Sequence, residues 1–248
     1  MQYGICLLSI VPIRSITEDT SEVVTQLLYG DHFKVLEQRK HWSKIRVAFD
    51  GCEGWVKNIQ ITIIDELLYS TLETKENPEF SIDLVSFIES GTNNLLPIVM
   101  GSMIDTSFNH KHEGTLISKK QGKSKLIRTA LLYLNSPYLW GGKTPFGIDS
   151  SGFTQMVYKI NGYSLLRHAA EQATQGEALS FIEECEAGDL AFFDNNEGVI
   201  DHVGMVMENN YIIHVYGKVR IDRIDHTGIF NADTKTYTHK LRVFKKIL

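Results

Sequence analysis

Short apolar runs separated by turn residues fill the first sixty residues of the chain. Apolar and β-branched residues are concentrated at 5–11, 23–28, 33–37, 42–47 and 54–56, and glycine–aspartate turn pairs lie between several of these runs. Runs of this length bounded by turn residues are typical of β-strands. Several short strands in close succession predict a small all-β barrel over residues 1–62.

The pattern is less regular over residues 63–118. Turn residues are frequent and no helical period is sustained, which favours a second small β-unit over a helical insert. His110 and His112 lie two residues apart in a polar stretch of this region. Because the sequence offers no third ligand nearby, we expect an exposed loop there and not a metal site.

The periodicity changes from residue 119 onwards. Apolar residues at 126, 127, 130, 131 and 134 have the spacing of one helix face, and those at 153, 156, 157 and 160 repeat it. These patterns predict helices over 125–134 and 151–160. Further apolar runs predict strands at 190–193, 202–206, 211–215 and 240–244. Helices followed by antiparallel strands predict an α+β domain over residues 119–248.

Composition and charge narrow the function classes. The 248 residues are 43% hydrophobic and carry a net charge of −5, which argues against nucleic acid as the main partner. No apolar run approaches the roughly 18 residues of a membrane span. The three cysteines are widely separated, so we expect neither a disulfide framework nor a metal or other cofactor.

The apolar run at 5–11 has no basic residue before it, so it does not have the pattern of a signal peptide. We therefore expect a cytoplasmic location, or the cell envelope if a leader has been removed.

A candidate nucleophile lies at the start of the second predicted helix. Residues 147–152 form a tight approach to that helix, and Ser150 occupies the position where unpaired N–H groups stabilise developing negative charge. A helix-borne nucleophile needs a base on a neighbouring element and a polar group that orients the base. His202 and His214, on two adjacent predicted strands, are the candidates.

The turn between those strands decides whether the two histidines share a face. A turn with an odd number of residues, centred on Asn209, places Gly204 opposite His214 and puts both histidines on one face. An even turn separates them. We predict the odd arrangement.

Two groups of motifs resemble known families. The N-terminal segments resemble a bacterial SH3-type (SH3b) domain; they are Pro12-Ile13-Arg14, residues 28–31, residues 42–47 and residues 50–56. The C-terminal motifs resemble the NlpC/P60 family of papain-like cysteine peptidases; they are Tyr138-x-Trp140-Gly141-Gly142, Asp149-Ser150-Ser151-Gly152-Phe153, Gly188-Asp189-Leu190, His202-Val203-Gly204 and His214.

The resemblance implies an α+β, papain-like catalytic domain preceded by one small all-β SH3-like barrel, or by two if residues 63–118 form another. It further implies a murein peptide hydrolase that needs no cofactor and resembles the γ-D-glutamyl-L-diamino-acid endopeptidases. These enzymes cleave after γ-linked D-glutamate in peptidoglycan-derived peptides of the L-Ala-γ-D-Glu-diamino acid type. Some members act inside the cell on recycled fragments.

The family's residue roles carry over by position. The nucleophilic cysteine position is Ser150, the base is His202, and His214 orients the base. The implied substrate-binding residues are Tyr138, Trp140, Asp149, Ser151 and Arg167.

The chain departs from the family pattern at the position of the nucleophile. A thiol near pKa ~8.5 is readily converted to a thiolate beside a histidine, whereas the Ser150 hydroxyl must lose its proton during attack. We therefore expect this chain to be inactive, whether the serine was introduced or arose naturally. A second departure around Leu166 and His168 favours natural divergence. The alternatives are a natural pseudoenzyme that binds muropeptides without cleaving them and, less favoured, an acyltransferase.

Overall fold

The computed structural model describes residues 1–91, 94–108, 110–195 and 197–248, which form two compact units. The first comprises Met1–Lys120 with Trp140–Pro145 and Gly162–Ser164, and the second comprises Gln121–Leu139, Phe146–Asn161 and Leu165–Leu248. Across these ranges, every helix is too short or too polar to cross a membrane. A separation between residues 1–62 and 63–118 as distinct domains stays a prediction.

A seven-stranded antiparallel sheet forms most of the first unit. Its strands are β1 (Gln2–Ile5), β2 (Ile10–Arg14), β3 (Val23–Leu28), β4 (His32–Gln38), β5 (Trp42–Val47), β6 (Glu53–Lys57) and β7 (Thr62–Ile64), in the order β3-β2-β6-β5-β4-β1-β7. The strands predicted from 23 onwards are confirmed. The apolar run at 5–11 is not one strand, because the chain turns after Ile5: the N–H of Cys6 donates to Asp31 and the Cys6 carbonyl accepts from Gly30.

Strands also predominate in the rest of this unit, with one helix that the sequence pattern did not reveal. The elements are α1 (Glu66–Glu73), β8 (Glu79–Ser81), β9 (Val85–Ser90), β10 (Leu95–Val99), β11 (Met103–Ile104), β12 (His110–Glu113), β13 (Leu116–Ile117) and β14 (Lys143–Thr144). Two three-stranded sheets have the orders β10-β9-β12 and β11-β8-β13. Asp65 caps α1 by accepting the N–H of Leu68.

The expectation of an exposed loop around His110 and His112 is wrong. Both residues lie on β12, which pairs with β9. His110 Nδ1 lies 3.0 Å from the hydroxyl of Tyr29, and His112 Nε2 lies 3.0 Å from the hydroxyl of Ser86. These two hydroxyl partners, one in the turn before β4 and one on β9, account for histidines that are only partly exposed.

The second unit places its helices before an antiparallel sheet, so the predicted α+β order is confirmed. Its elements are α2 (Lys123–Leu132), β15 (Gly147–Ile148), α3 (Ser150–Ile160), α4 (Ala169–Gln172), β16 (Glu177–Leu179), β17 (Leu190–Asp194), β18 (Ile200–Met207), β19 (Tyr211–Tyr216), β20 (Lys218–Ile224), β21 (Gly228–Asn231) and β22 (Thr236–Lys246). The sheet order is β16-β22-β17-β18-β19-β20-β21, and β21 also pairs with β22. Six strands, β17 to β22, therefore close into a barrel.

Packing against the barrel fixes the helix that carries Ser150. All eleven residues of α3 are buried, and the helix packs against α2, β18 and β19.

Val206 and Ile212 belong to an apolar cluster formed with residues from the other barrel strands. Since strand side chains alternate, His202 shares a face with Val206 and His214 shares a face with Ile212.

Barrel closure depends on Gly228, where β21 meets β22. Its φ is +149° and an added Cβ would overlap the backbone carbonyl of His239. Gly217, between β19 and β20, also has a positive φ of +69°, but an added Cβ there would meet nothing within 4 Å. We predict that Gly228→Ala lowers the free energy of unfolding by about 3 kcal/mol. Gly217→Ala should lower it by only about 1–2 kcal/mol.

Urea unfolding of the two variants and the native chain measures both values. Equal losses in the two variants would show that the closure at Gly228 tolerates a side chain.

Candidate active site

Asp149 fixes the start of the helix that carries the candidate nucleophile. It is the N-cap of α3, and its Oδ1 accepts the N–H of Gly152 at 2.6 Å. Ser150 follows as the first helical residue and is 9% exposed. The N–H groups of a first helical turn point out of the helix end and carry partial positive charge. Position 150 therefore has the electrostatic setting that suits a nucleophile or an oxyanion.

Arg167 binds the same carboxylate from the other side. Its Nη1 donates to Asp149 Oδ1 at 3.0 Å, its Nη2 donates to Asp149 Oδ2 at 2.6 Å, and Nη1 also donates to the hydroxyl of Ser151 at 3.0 Å. The Arg167 side chain is 1% exposed. Three of the predicted substrate-binding residues thus form one buried cluster beside Ser150, and the carboxylate and guanidinium charges offset each other.

Gln172, on α4, ties the segment that carries Arg167 to α3. Its amide nitrogen donates to the carbonyls of Ser151 and Leu166 at 2.9 and 2.8 Å, and its amide oxygen accepts from the hydroxyl of Thr154 at 2.7 Å. Sequence reasoning missed this residue, because a glutamine in a short helix carries no periodic signal.

The histidine hairpin has the predicted register. The turn Glu208–Asn210 has three residues, Met207 pairs with Tyr211, and Gly204 lies opposite His214. A side chain at Gly204 would come within 2.8 Å of the His214 Cβ, so glycine provides the room that His214 occupies. His202 Nε2 and His214 Nδ1 are 3.0 Å apart, which places both rings on one face of the sheet.

A carboxylate on the next strand completes a hydrogen-bonded chain. Asp222, on β20, has its Oδ2 3.0 Å from His214 Nε2, and it accepts two bonds from the guanidinium of Arg220, at 2.6 and 2.9 Å. Burial raises the pKa of Asp222, but His214 and Arg220 outweigh that effect and hold it below its usual value. The carboxylate is therefore ionised and accepts the Nε2–H of His214.

That bond determines the protonation of both rings. With its proton on Nε2, His214 has a lone pair on Nδ1, so the Nε2–H of His202 must donate to it. His202 then keeps its lone pair on Nδ1, which can accept a proton. Burial, followed by the nearby His239 and His214, lowers the pKa of His202 well below its usual value.

A third histidine, which the sequence analysis did not single out, stacks on His202. His239 lies on β22, and its ring is parallel to that of His202 within 23°, with the centroids 3.9 Å apart. Burial lowers the pKa of His239 to about 4. A search for motifs could not find His239, because a single histidine in the polar part of a strand has no distinctive spacing to other residues.

The other two predicted substrate-binding residues are Tyr138 and Trp140. Tyr138 is about half exposed, its N–H donates to Gly217, and burial and the charge of Asp149 raise the pKa of its phenol. Trp140 belongs to the first unit, where its indole N–H donates to Glu22 at 2.7 Å.

Comparison with known families agrees with this geometry. The sequence profile of the NlpC/P60 family matches residues 135–238, which include the start of α3 and the whole histidine hairpin. This region is an NlpC/P60 domain. The profile of the bacterial dipeptidyl-peptidase SH3 domain matches residues 14–61, most of the seven-stranded sheet. The chain therefore combines an N-terminal SH3-like domain with a C-terminal NlpC/P60 domain.

Two curated relatives align with most of the chain. The γ-D-glutamyl-L-lysine dipeptidyl-peptidase of Bacillus subtilis is 28% identical over 219 residues, covering 77% of this chain and 72% of the relative. The enzyme of the same name from Bacillus cereus is 27% identical over 227 residues, covering 79% and 68%. The crystal structure of an NlpC/P60 family protein from Bacillus cereus covers 99% of both chains with a TM-score of 0.83 at 20% identity, so the fold is shared.

The Arg167–Asp149 pair gives a test of how the NlpC/P60 site is held. Arg167→Met leaves a buried carboxylate without its bidentate partner, and we expect the free energy of unfolding to fall by about 3–5 kcal/mol. Arg167→Lys keeps the charge but not the fork of donors, so its loss should be smaller. Urea denaturation followed by circular dichroism measures both. Arg167→Met with native stability would contradict this role.

Proposed function

We propose that the chain is built as a murein peptide hydrolase for peptides of the L-Ala-γ-D-Glu-diamino acid type, and that Ser150 leaves it with little or no peptidase activity. The observation that carries this proposal is the intact chain of His202, His214 and Asp222 in a domain whose helix α3 begins with serine in place of the family's cysteine. The relatives named γ-D-glutamyl-L-lysine dipeptidyl-peptidases support the substrate class.

The charge distribution explains why a serine is a poor nucleophile here. A serine hydroxyl gives up its proton only as it attacks, so the base becomes positively charged in the transition state. The carboxylate that could stabilise this charge, Asp222, is separated from His202 by the neutral ring of His214 and is already paired with Arg220. A cysteine avoids the problem, because its thiolate forms first and pairs with the imidazolium.

The alternative function is capture of muropeptides without cleavage. Three hydrogen bonds from Arg167 to Asp149 and Ser151 hold this cluster together, and these three bonds do not use the side chain of residue 150. Peptide binding through this cluster can therefore persist when the nucleophile is absent.

Restoring the sulfur tests the proposal. We expect Ser150→Cys to release L-Ala-γ-D-Glu from L-Ala-γ-D-Glu-L-Lys or its diaminopimelate analogue, and the native chain to release none above background. Adding His202→Ala to Ser150→Cys should reduce the rate by about 10²- to 10⁴-fold. Mass spectrometry of the products, in reducing buffer with a chelator, gives the rates.

Calorimetry with the native chain separates the two candidate functions. If Ser150→Cys does not cleave while the native chain binds the peptide, the binding function is supported and the hydrolase framework is not. Rapid cleavage by the native serine form would contradict the role assigned to Ser150.

Asp222 gives a second test within the cleaving variant. In Asp222→Asn the amide nitrogen must face a donor, either His214 or Arg220, so the His214 tautomer is no longer fixed. We expect kcat of Ser150→Cys to fall by at least about 100-fold with a small change in KM. Glu208→Gln, an exposed carboxylate in the hairpin turn, is the matched control and should leave kcat unchanged. Equal kcat values for the two variants would remove Asp222 from the mechanism.

A further inference from the structure

We propose that His202, His214 and His239 form a binding site for one divalent transition-metal ion, with zinc as the best-fitting metal. Each residue offers one ring nitrogen, and these three atoms lie within 4.8 Å of one another. Three imidazoles are a donor set that zinc commonly takes, with a fourth position left for water or another ligand. The site uses His202 and His214 of the proposed peptide chemistry, so a metal ion and that chemistry compete for the ring of His202.

Two of the three ring pairs already have the separation that a shared ion requires. Zinc binds imidazole nitrogen at about 2.0–2.1 Å, so two ligands in a tetrahedral site are roughly 3.3 Å apart and their ring centroids about 5 Å apart. His202 Nε2 and His214 Nδ1 are 3.0 Å apart, and their ring centroids are 5.2 Å apart. The His214 and His239 centroids are 5.6 Å apart. His214 is therefore near enough to both partners to share an ion with them, once the hydrogen bond between His202 and His214 gives way to the metal.

The third pair must open when the ion binds. The His202 and His239 rings are stacked with centroids 3.9 Å apart, about 1 Å closer than two ligands of one zinc ion. His239 is the one ring of the three that is partly exposed, and it lies in the first half of β22. Its Nδ1 lies 2.9 Å from the hydroxyl of Thr238, which leaves Nε2 for the metal. An outward rotation of this side chain provides the missing separation.

The neighbours of His214 complete the pattern of a metal site. A ligating histidine usually donates its other N–H to a carboxylate, which fixes the ring and strengthens the ligand nitrogen. Asp222 accepts from His214 Nε2 in this way, and Arg220 fixes Asp222 through two bonds.

Metal binding and base chemistry exclude each other at His202. When Nε2 of His202 binds the ion, its proton moves to Nδ1 of the same ring, so no proton is released overall. Nδ1 then has no lone pair, and His202 can no longer accept a proton from residue 150. A chain with serine at position 150 loses little by this exchange, which makes the cluster available for a metal.

Cobalt(II) is the probe for this site, because its visible spectrum reports the geometry of its ligands. We expect the metal-free native chain to bind one Co²⁺ with the strong visible absorption of a four-coordinate site, and one equivalent of Zn²⁺ to abolish that absorption. Asp222→Asn should weaken Zn²⁺ binding about 10- to 100-fold, the usual effect of removing a carboxylate behind a ligand. His239→Gln should weaken it by at least as much.

His226→Gln is the matched control, since it removes an exposed imidazole from the same unit. Circular dichroism establishes that each variant is folded, and the spectrum of the native chain does not depend on any variant. Weak absorption typical of six-coordinate Co²⁺, or equal weakening by His226→Gln and His239→Gln, would overturn the proposal. The cleavage assays contain a chelator, so failure of the metal site and failure of the hydrolase framework are separate outcomes.

Discussion

The carboxylate of Asp222 accepts the Nε2–H of His214 inside the barrel, and this one bond sets the proton positions of His214 and His202. It leaves the lone pair of His214 on Nδ1, which in turn places the proton of His202 on Nε2 and its lone pair on Nδ1. Hydrogen bonds from His214 and Arg220 outweigh burial and hold the pKa of Asp222 below its usual value. Without the carboxylate, either ring could hold its proton on either nitrogen, and neither a base nor a metal ligand would be defined.

Two ion pairs, each with several hydrogen bonds, hold the site of this domain. Arg167 binds Asp149 beside the helix start, and Arg220 binds Asp222 inside the barrel. Each pair forms several hydrogen bonds, which compensates for the loss of hydration that burial imposes. Arg167 bonds Asp149 and Ser151 on either side of position 150, so this helix start is held by residues that neighbour Ser150.

The sequence revealed those parts of the site that have a repeating or spaced signal. The apolar period predicted α3, and the three-residue turn predicted the pairing of Gly204 with His214. Asp222 was missed because β20 breaks the rule on which strand prediction rests: Ile221 is 37% exposed while Asp222 is 4% exposed. Because the apolar residue is exposed and the carboxylate is buried, the usual alternation does not reveal this strand. The same exchange of apolar and polar positions could have marked the strand as functional. The hydroxyl partners of His110 and His112 were equally invisible, because Tyr29 and Ser86 come from distant parts of the chain.

The negative charge of Asp222 lies behind His214 and not behind His202, and this position decides which chemistry the histidine cluster suits. A hydroxyl nucleophile needs a carboxylate directly behind its base, but here one neutral ring lies between His202 and Asp222. A thiolate needs no such carboxylate, since it supplies the negative charge itself. A divalent ion needs neutral nitrogen donors with a carboxylate behind one of them, and that condition is met at His214. One neutral ring between His202 and Asp222 therefore suits a thiolate or a metal ion better than it suits a hydroxyl nucleophile.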